Sequence, residues 1–203
     1  MSVERKIMLE SFGAELVEVA PGDFDGAIAL RNKLSEENGY FNFNQFHNPL
    51  NTESHWYTTG VEICNSLPLN IHPDAFVAGT GTGGTIMGAG MFLKNQFPDC
   101  KLVALEPSES PVMSGGDSGL HGIQGIGDGS KFLVDLKEID RIEKVSTPEA
   151  IQKSKSLAKE WGIFVGFSAA ANYLVAERLI KEGYATNVVT ILCDRGERYF
   201  SCL

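Results

Sequence analysis

The sequence predicts an α/β protein with a mostly parallel sheet and helices on both of its faces. Three observations carry that reading. Short apolar runs alternate with helix-period segments almost throughout the chain. Helix ends are repeatedly marked by glycine and helix starts by Ser, Thr or Pro. The run Ala78-Gly79-Thr80-Gly81-Thr82-Gly83-Gly84-Thr85 follows an apolar strand and opens a helix, which is the strand-to-helix passage of such sheets.

Taken in order, Ser2 is placed to cap a helix that runs to Phe12 and stops at Gly13. Ala14 to Val19 reads as a strand, Asp25 to Asn38 as a helix closed by Gly39, and Tyr40 to Asn44 as a second strand. The polar loop Gln45-Phe46-His47-Asn48-Pro49 leads to a helix from about Glu53 to Ser66. Asp74 to Val77 is a strand, the glycine run follows it, and Ile86 to Phe97 is helical. Lys101 to Glu106 is a strand ended by Pro107, and Ser110 to Gly129 is a long loop rich in Gly and Ser. Ile142 to Val145 is a strand. Thr147-Pro148-Glu149 starts a helix that ends at Gly162, with Thr147 as the cap. Ile163 to Phe167 is a strand, Ser168 caps a helix to Gly183, and Asn187 to Cys193 is the last strand.

The 203 residues are 43% hydrophobic and carry a net charge of -9, so a packed core is expected and nucleic acid or an anionic membrane is a poor partner. No apolar stretch reaches membrane-spanning length, and the mixed charge of Met1 to Lys6 does not make a signal peptide. Cys64, Cys100, Cys193 and Cys202 form no C-x-x-C pair and no metal-like group with the histidines, so no metal site and free thiols in a reducing cytoplasm are expected.

Four glycines within positions 79–84 let the backbone turn sharply and turn a fan of N–H groups toward a ligand, at the positive end of the following helix. The pattern is a phosphate cradle. As Gly79-x-Gly81-x-x-Gly84 it also satisfies a dinucleotide fingerprint, with Glu106 where an acid would meet a ribose hydroxyl. The crowded Gly83-Gly84 and the hydroxyls of Thr80, Thr82 and Thr85 favour a terminal phosphate monoester instead. A glycine turn serving only close helix–strand packing is the plainer alternative. His121, beside a glycine loop, reads as a loop-packing residue rather than a base.

With its neighbours, this segment resembles the cysteine synthase (O-acetylserine sulfhydrylase) branch of the fold-type-II pyridoxal-phosphate (PLP) enzymes. The matches run in order from Phe12-Gly13-Ala14-Glu15-Leu16-Val17, through Gln45-Phe46-His47-Asn48-Pro49-Leu50-Asn51, His55 and Thr58-Thr59-Gly60-Val61-Glu62-Ile63. They continue through Ala78 to Thr85, Val103 to Pro107 and Ser110 to Gly116. His121-Gly122-Ile123-Gln124-Gly125-Ile126-Gly127 and Gly196-Glu197-Arg198-Tyr199 complete the set. The resemblance implies the large PLP-binding domain over 46–203 and the remnant of a smaller α/β domain over 1–45. It implies that Gly81, Thr82, Gly83, Gly84 and Thr85 hold the phosphate of pyridoxal 5'-phosphate, that Gln45 receives a small amino-acid substrate, and that Gly125 lines the pocket. The implied reaction is β-replacement on O-acetylserine by sulfide to give cysteine.

The departures are as informative. The family's Schiff-base lysine in N-P-x-x-S-x-K and its T-S-G-N-T-G substrate loop are absent from these residues and belong to a segment that would precede Met1. The resemblance therefore covers about the last two thirds of such an enzyme. No catalytic residue is assigned, and the chain as given is expected to form no Schiff base. Arg195 stands where the family places a serine beside the pyridine nitrogen, to disfavour a protonated ring or to swing out toward Asp194. Gly122 replaces a lysine, and Ser168-Ala169-Ala170 replaces a Ser-Ser-Gly helix start. The expected partners are a further copy of the chain, a separate N-terminal segment or serine acetyltransferase. A degenerate docking module and a nucleotide-dependent dehydrogenase are the alternative readings.

Overall fold

A computed structural model describes residues 1–203. Its centre is a four-stranded, all-parallel sheet of β1 (Ala75–Gly79), β2 (Lys101–Pro107), β3 (Arg141–Val145) and β4 (Val188–Thr190), in the order β3-β2-β1-β4. Val77 pairs with Val103 on one side and Thr190 pairs with it on the other, so β1, like β2, is an inner strand. The chain leaves β1 toward β2, while β4 lies on the other side. The carboxyl end of β1 is therefore the point where strand order reverses, and such points collect ligands in open α/β sheets.

Strand period places alternate side chains of β1 in two cores. Ala75 and Val77 join Val103 and Leu105 against Phe167, Ala171, Val175 and Leu179 on one face. Phe76 and Ala78 join Leu102 and Ala104 against Ile86, Leu93 and Cys100 on the other. The first face is covered by α6 (Thr147–Trp161) and α7 (Phe167–Lys181), the second by the helix that follows β1, ending as α5 (Met91–Gln96). No helix is long and apolar enough to cross a membrane.

Before the sheet lie α1 (Val3–Ser11), α2 (Phe24–Asn38), closed by Gly39 at φ +69°, and then α3 (Leu50–His55) and α4 (Val61–Ser66). α3 and α4 form one run joined by a π turn, Trp56–Gly60, and a second π turn, Ile86–Gly90, precedes α5. The two π turns face each other across glycines. A Cβ on Gly60 would stand 2.7 Å from Phe92 Cβ, and one on Gly88 would stand 2.3 Å from the Thr52 carbonyl oxygen. Two backbones thus approach without side chains between them, which presses α3 against the start of the helix after β1.

Several sequence expectations are corrected. Ala14–Val19 and Tyr40–Asn44 form no strand, because no neighbouring strand pairs with them, and Asn44 takes a left-handed φ of +47°. Ile163–Phe167 contributes only a bridge, Val165 to Arg195, and Phe167 already lies in α7. The last strand shrinks to Val188–Thr190. Ser2 precedes α1 without capping it, since its hydroxyl donates to the Arg198 carbonyl at 2.6 Å. The cap of α6 is Ser146, one residue before the expected Thr147, in a reciprocal box with Glu149. Gly166, not Ser168, occupies the cap position of α7, because a Cβ there would fall 2.0 Å from Asp194 Oδ1.

The capping box has a measurable pH signature. Hydrogen bonds from Ser146 hold the Glu149 carboxyl below its ordinary value, with Arg178 adding to them. The contribution is therefore present above the ordinary carboxylate range and is lost as pH falls through it. Ser146→Ala is expected to lower stability by about 1 kcal/mol near neutral pH, and by less at acid pH. Leu102→Ala, in the dry core, is expected to cost about 2–5 kcal/mol at either pH. Thermal melts of the three proteins at two pH values check both statements.

Candidate functional site

The glycine run begins where the β1–β2 ladder ends. Thr80 continues that ladder, its N–H and its hydroxyl both donating to the Leu105 carbonyl at 2.9 and 3.0 Å. Its hydroxyl is thus spent inside the sheet, a correction to the expectation that Thr80 serves a ligand. On the opposite side, where β4 has already ended, the Asn172 side chain takes over. Its Oδ1 accepts the Gly79 N–H at 2.7 Å and its Nδ2 donates to the Ile191 carbonyl at 2.8 Å. Both edges of the strand end are therefore fixed just before the loop.

Beyond Thr80 the chain is walled by backbone. A Cβ on Gly81 would stand 2.6 Å from the Gly125 carbonyl oxygen and 3.2 Å from Asp128 Oδ2. Gly83 has φ +89°, a conformation that favours glycine, and a Cβ there would meet Val134. A Cβ on Gly84 would fall 2.0 Å from Asn51 Oδ1. The Thr82 carbonyl accepts from Leu133 N–H at 3.0 Å and the Gly83 carbonyl from Met87 N–H at 3.0 Å. The amides of Gly81, Thr82 and Gly83 make no hydrogen bond within the chain. Gly83 is buried, and a buried amide without a partner is rare unless a ligand or water completes it. Unused N–H groups, glycines that no other residue can replace and the start of a helix together fit an anionic group.

The remaining predicted residues are arranged as follows. The Gly84 amide turns inward to Thr82 Oγ1 at 3.2 Å. Thr85 Oγ1 faces His55 Nε2 at 3.4 Å, and His55 Nδ1 lies 2.9 Å from Thr59 Oγ1. Burial lowers the His55 pKa, which favours the neutral ring. Gln45 and Gly125 stand on different cavities. Gln45 belongs to an apolar cavity of about 490 Å³ between α2 and residues 40–46. Gly125 belongs to a polar cavity of about 800 Å³ lined also by Arg5, Asp23, His121 and Asp128. The glycine loop lines neither; Asn51 joins it to the Gln45 main chain, and Gly81 packs against the Gly125 carbonyl.

Arg195 does not pair with Asp194. Its side chain is turned out to Glu197 at 2.7 Å, while Asp194 is taken by Arg5 and by Tyr199. His121 donates Nε2–H to the Gly127 carbonyl at 3.2 Å, a loop-packing contact. Asp128, beside Gly81, has its pKa raised by burial, with His121 opposing the shift. Both oxygens of buried Glu106 accept from the 113–114 turn, from Met113 N–H at 2.7 Å, from Ser114 N–H at 3.0 Å and from the Ser114 hydroxyl. An acid so engaged cannot meet a ribose, and the dinucleotide reading loses its second element. No lysine lines either cavity. Asn51 and Asn172, which act across long sequence separations, are the site residues that sequence reasoning missed; only Asn51 left a trace, as the last residue of the Asn48-Pro49-Leu50-Asn51 run.

Comparison with known proteins gives this chain a family and a set of relatives. A family model described as pyridoxal-phosphate dependent enzyme matches residues 1–194. Cysteine synthase of Staphylococcus aureus (strain N315) is 44% identical over 207 residues, covering 99% of this chain and 66% of that protein. Among solved structures, a hydrogen sulfide-producing enzyme of Fusobacterium nucleatum superposes with a TM-score of 0.91 at 39% identity, covering 100% of this chain and 62% of its own. Cysteine synthase of Entamoeba histolytica superposes with a TM-score of 0.86 at 36% identity, covering 100% and 61%. The chain thus spans slightly less than two thirds of the length of these relatives, and the α/β fold of 1–203 is theirs.

Gly81→Ala drives a methyl group into the Gly125 carbonyl and separates the two loops. Losing one or two hydrogen bonds to a charged group corresponds to a roughly 10- to 100-fold weaker hold on PLP. Equilibrium dialysis against PLP, with circular dichroism to show that the fold persists, checks the expectation.

Proposed function

This chain belongs to the pyridoxal-phosphate-dependent enzyme family, and on that premise we propose that its glycine loop grips the cofactor by the phosphate. The observation that carries the proposal is the set of unused amides of Gly81, Thr82 and Gly83 at a helix start, with Gly81 and Gly83 at positions where a side chain would collide with the neighbouring loops. Gly84 serves by admitting Asn51 rather than by offering its own N–H, and Thr85 serves through its hydroxyl beside His55. Arg195, held by Glu197, shapes the turn before Gly196 and leaves the ring side of the cofactor to other groups.

We further propose that the activity served is cysteine synthase-like: replacement of the β-substituent of O-acetylserine by sulfide. Support comes from the named relatives at 44% and 36% identity and from the ordered motifs around Gln45, Gly81 and Gly125. When bound, PLP withdraws electrons from the α-carbon of an attached amino acid, which eases loss of the α-proton and of the β-leaving group. The work of this chain is positional. Backbone amides neutralise the phosphate without a basic side chain, Gln45 and Gly125 flank the loop on the substrate side, and the buried sheet end keeps the cradle rigid. The seam between a small part, 1–45, and a larger one, 46–203, falls at Gln45 in this reading.

The proposal also covers assembly. Phe41 and Phe43 are 80% and 76% exposed beside the 490 Å³ apolar cavity, and the segments 14–19 and 40–44 belong to no sheet. Such surfaces are covered in stable proteins, by a further copy or by another polypeptide segment.

Three outcomes are expected. The 203-residue protein retains PLP better than pyridoxal, and borohydride treatment fixes no cofactor to a lysine at the site; equal retention of the two compounds by dialysis would sink the phosphate reading. Light scattering is expected to give a mass above that of a monomer.

A further inference from the structure

The hydrogen bonds around Thr82 admit only one arrangement, and it gives a role to a residue the sequence reading left without one. The Gln45 main-chain carbonyl can only accept, so the Asn51 atom 2.9 Å from it must be the amide nitrogen. The second hydrogen of the same Asn51 nitrogen then points to Thr82 Oγ1 at 3.0 Å. Thr82 Oγ1 is thereby an acceptor. Its other lone pair takes the Gly84 N–H at 3.2 Å. A hydroxyl has two acceptor positions and one proton. With both acceptor positions filled, the proton is what Thr82 has left to offer, and it makes no hydrogen bond within the chain. It is an O–H committed to donate, set beside the three unused amides of Gly81, Thr82 and Gly83.

We propose that Asn51 is a positioning residue that fixes the Thr82 hydroxyl as a donor to the cofactor phosphate and ties that donor to the Gln45 segment on the substrate side. The inference rests on the phosphate reading of the glycine loop. Two features place Asn51 for the task. It sits in the first turn of α3, which the facing π turns press against the helix after β1. Its Oδ1 lies where a Cβ on Gly84 would be, so the contact exists because position 84 is glycine. One side chain thus spans the phosphate loop and the start of the segment that carries Gln45, and a change at either end is felt at the other.

The same geometry makes an unusual prediction about a near-isosteric change. In Asn51→Asp the carboxylate can only accept. It would take the Thr82 proton, reverse the polarity of the hydroxyl, face the Gln45 carbonyl with a second acceptor, and place a negative charge near the phosphate. Asn51→Ala removes the guide but leaves the hydroxyl free to turn. The affinity ratio of PLP to pyridoxal, measured by equilibrium dialysis on the 203-residue protein, isolates the phosphate contribution. Wild type is expected to favour PLP clearly. Asn51→Ala is expected to reduce the ratio roughly 2- to 10-fold, the worth of one hydrogen bond, and Asn51→Asp is expected to reduce it by more than Asn51→Ala does.

If Asn51 only packs α3 against the loop, Asn51→Ala weakens PLP and pyridoxal alike and its ratio stays at the wild-type value. That result, or a ratio lower in Asn51→Ala than in Asn51→Asp, overturns the proposal. A wild-type ratio near one overturns the phosphate reading instead, so the two failures are distinct. Should Asn51→Asp fail to fold by circular dichroism, the cycle of Asn51→Ala with Thr82→Val decides. Once the hydroxyl is gone, removing the Asn51 side chain is expected to change the ratio no further, and additive losses would refute the coupling.

Discussion

The site depends on one steric condition: that nothing larger than hydrogen stands at Gly60, Gly81, Gly84 and Gly88. Each absence admits a specific neighbour, namely Phe92, the Gly125 carbonyl, the Asn51 amide and the Thr52 carbonyl. Together they let α3 lie on the helix that follows β1 and let the 125–128 loop lie on the glycine run. The π turns at Trp56–Gly60 and Ile86–Gly90 are the backbone's accommodation to this closeness. Without it, Asn51 and His55 would stand a side chain's width from Thr82 and Thr85.

This condition also explains how an acidic chain can hold an anion. With a net charge of -9, a site built from lysine and arginine would have to work against the protein's own field. The cradle avoids the problem by using oriented backbone N–H groups and one directed hydroxyl, whose fixed dipoles need no ionisable side chain. Such donors are pre-organised only if the strand end beneath them is rigid. Thr80 and Asn172 supply that rigidity, Thr80 by extending the ladder to β2 and Asn172 by completing the other edge of β1 after β4 has ended. Glu106 does the same for the loop on the β2 side by gathering the 113–114 amides.

What could be read from the sequence follows the range of the forces involved. The inner strands β1 and β2 and the helix stops at Gly39 and Gly162 are written in local pattern and are legible. The segments 14–19 and 40–44 have strand-like alternation but no partner, and a strand is a statement about a neighbour that no local pattern contains. Caps failed in the same way. Ser2 and Ser168 have capping chemistry, but Ser2 is drawn to the distant Arg198 carbonyl, and the cap of α7 falls at Gly166, where Asp194 and Tyr199 leave no room for a side chain. Asn51 was legible as part of a motif and illegible as a hinge between two subsites, because Thr82 lies 31 positions away. Arg195 could not be placed between two outcomes by sequence, and the deciding fact is that Asp194 is already engaged by a residue near the opposite end of the chain.

That engagement carries the argument from the loop to the chain's two ends. The Arg5 guanidinium lies over the Tyr199 ring at 5.1 Å, donates to the Tyr199 oxygen at 2.6 Å and pairs with Asp194. The Tyr199 hydroxyl, which accepts from Arg5, must therefore donate to Asp194, at 2.7 Å. Burial, and then Asp194, push the Tyr199 pKa upward, so the phenol keeps the proton that this arrangement requires. Burial opposes the charge on Arg5, but Tyr199 and Asp194 outweigh it and the guanidinium pKa rises. The three groups form a closed circuit that seats α1 on the Gly196–Cys202 turn, reinforced by Glu4 on Ser201. Arg5 is also part of the wall of the 800 Å³ cavity that Gly125 lines. That cavity is thus shaped by the first helix and the last turn acting together, and Asp194, once committed to that junction, leaves Arg195 free to turn outward to Glu197.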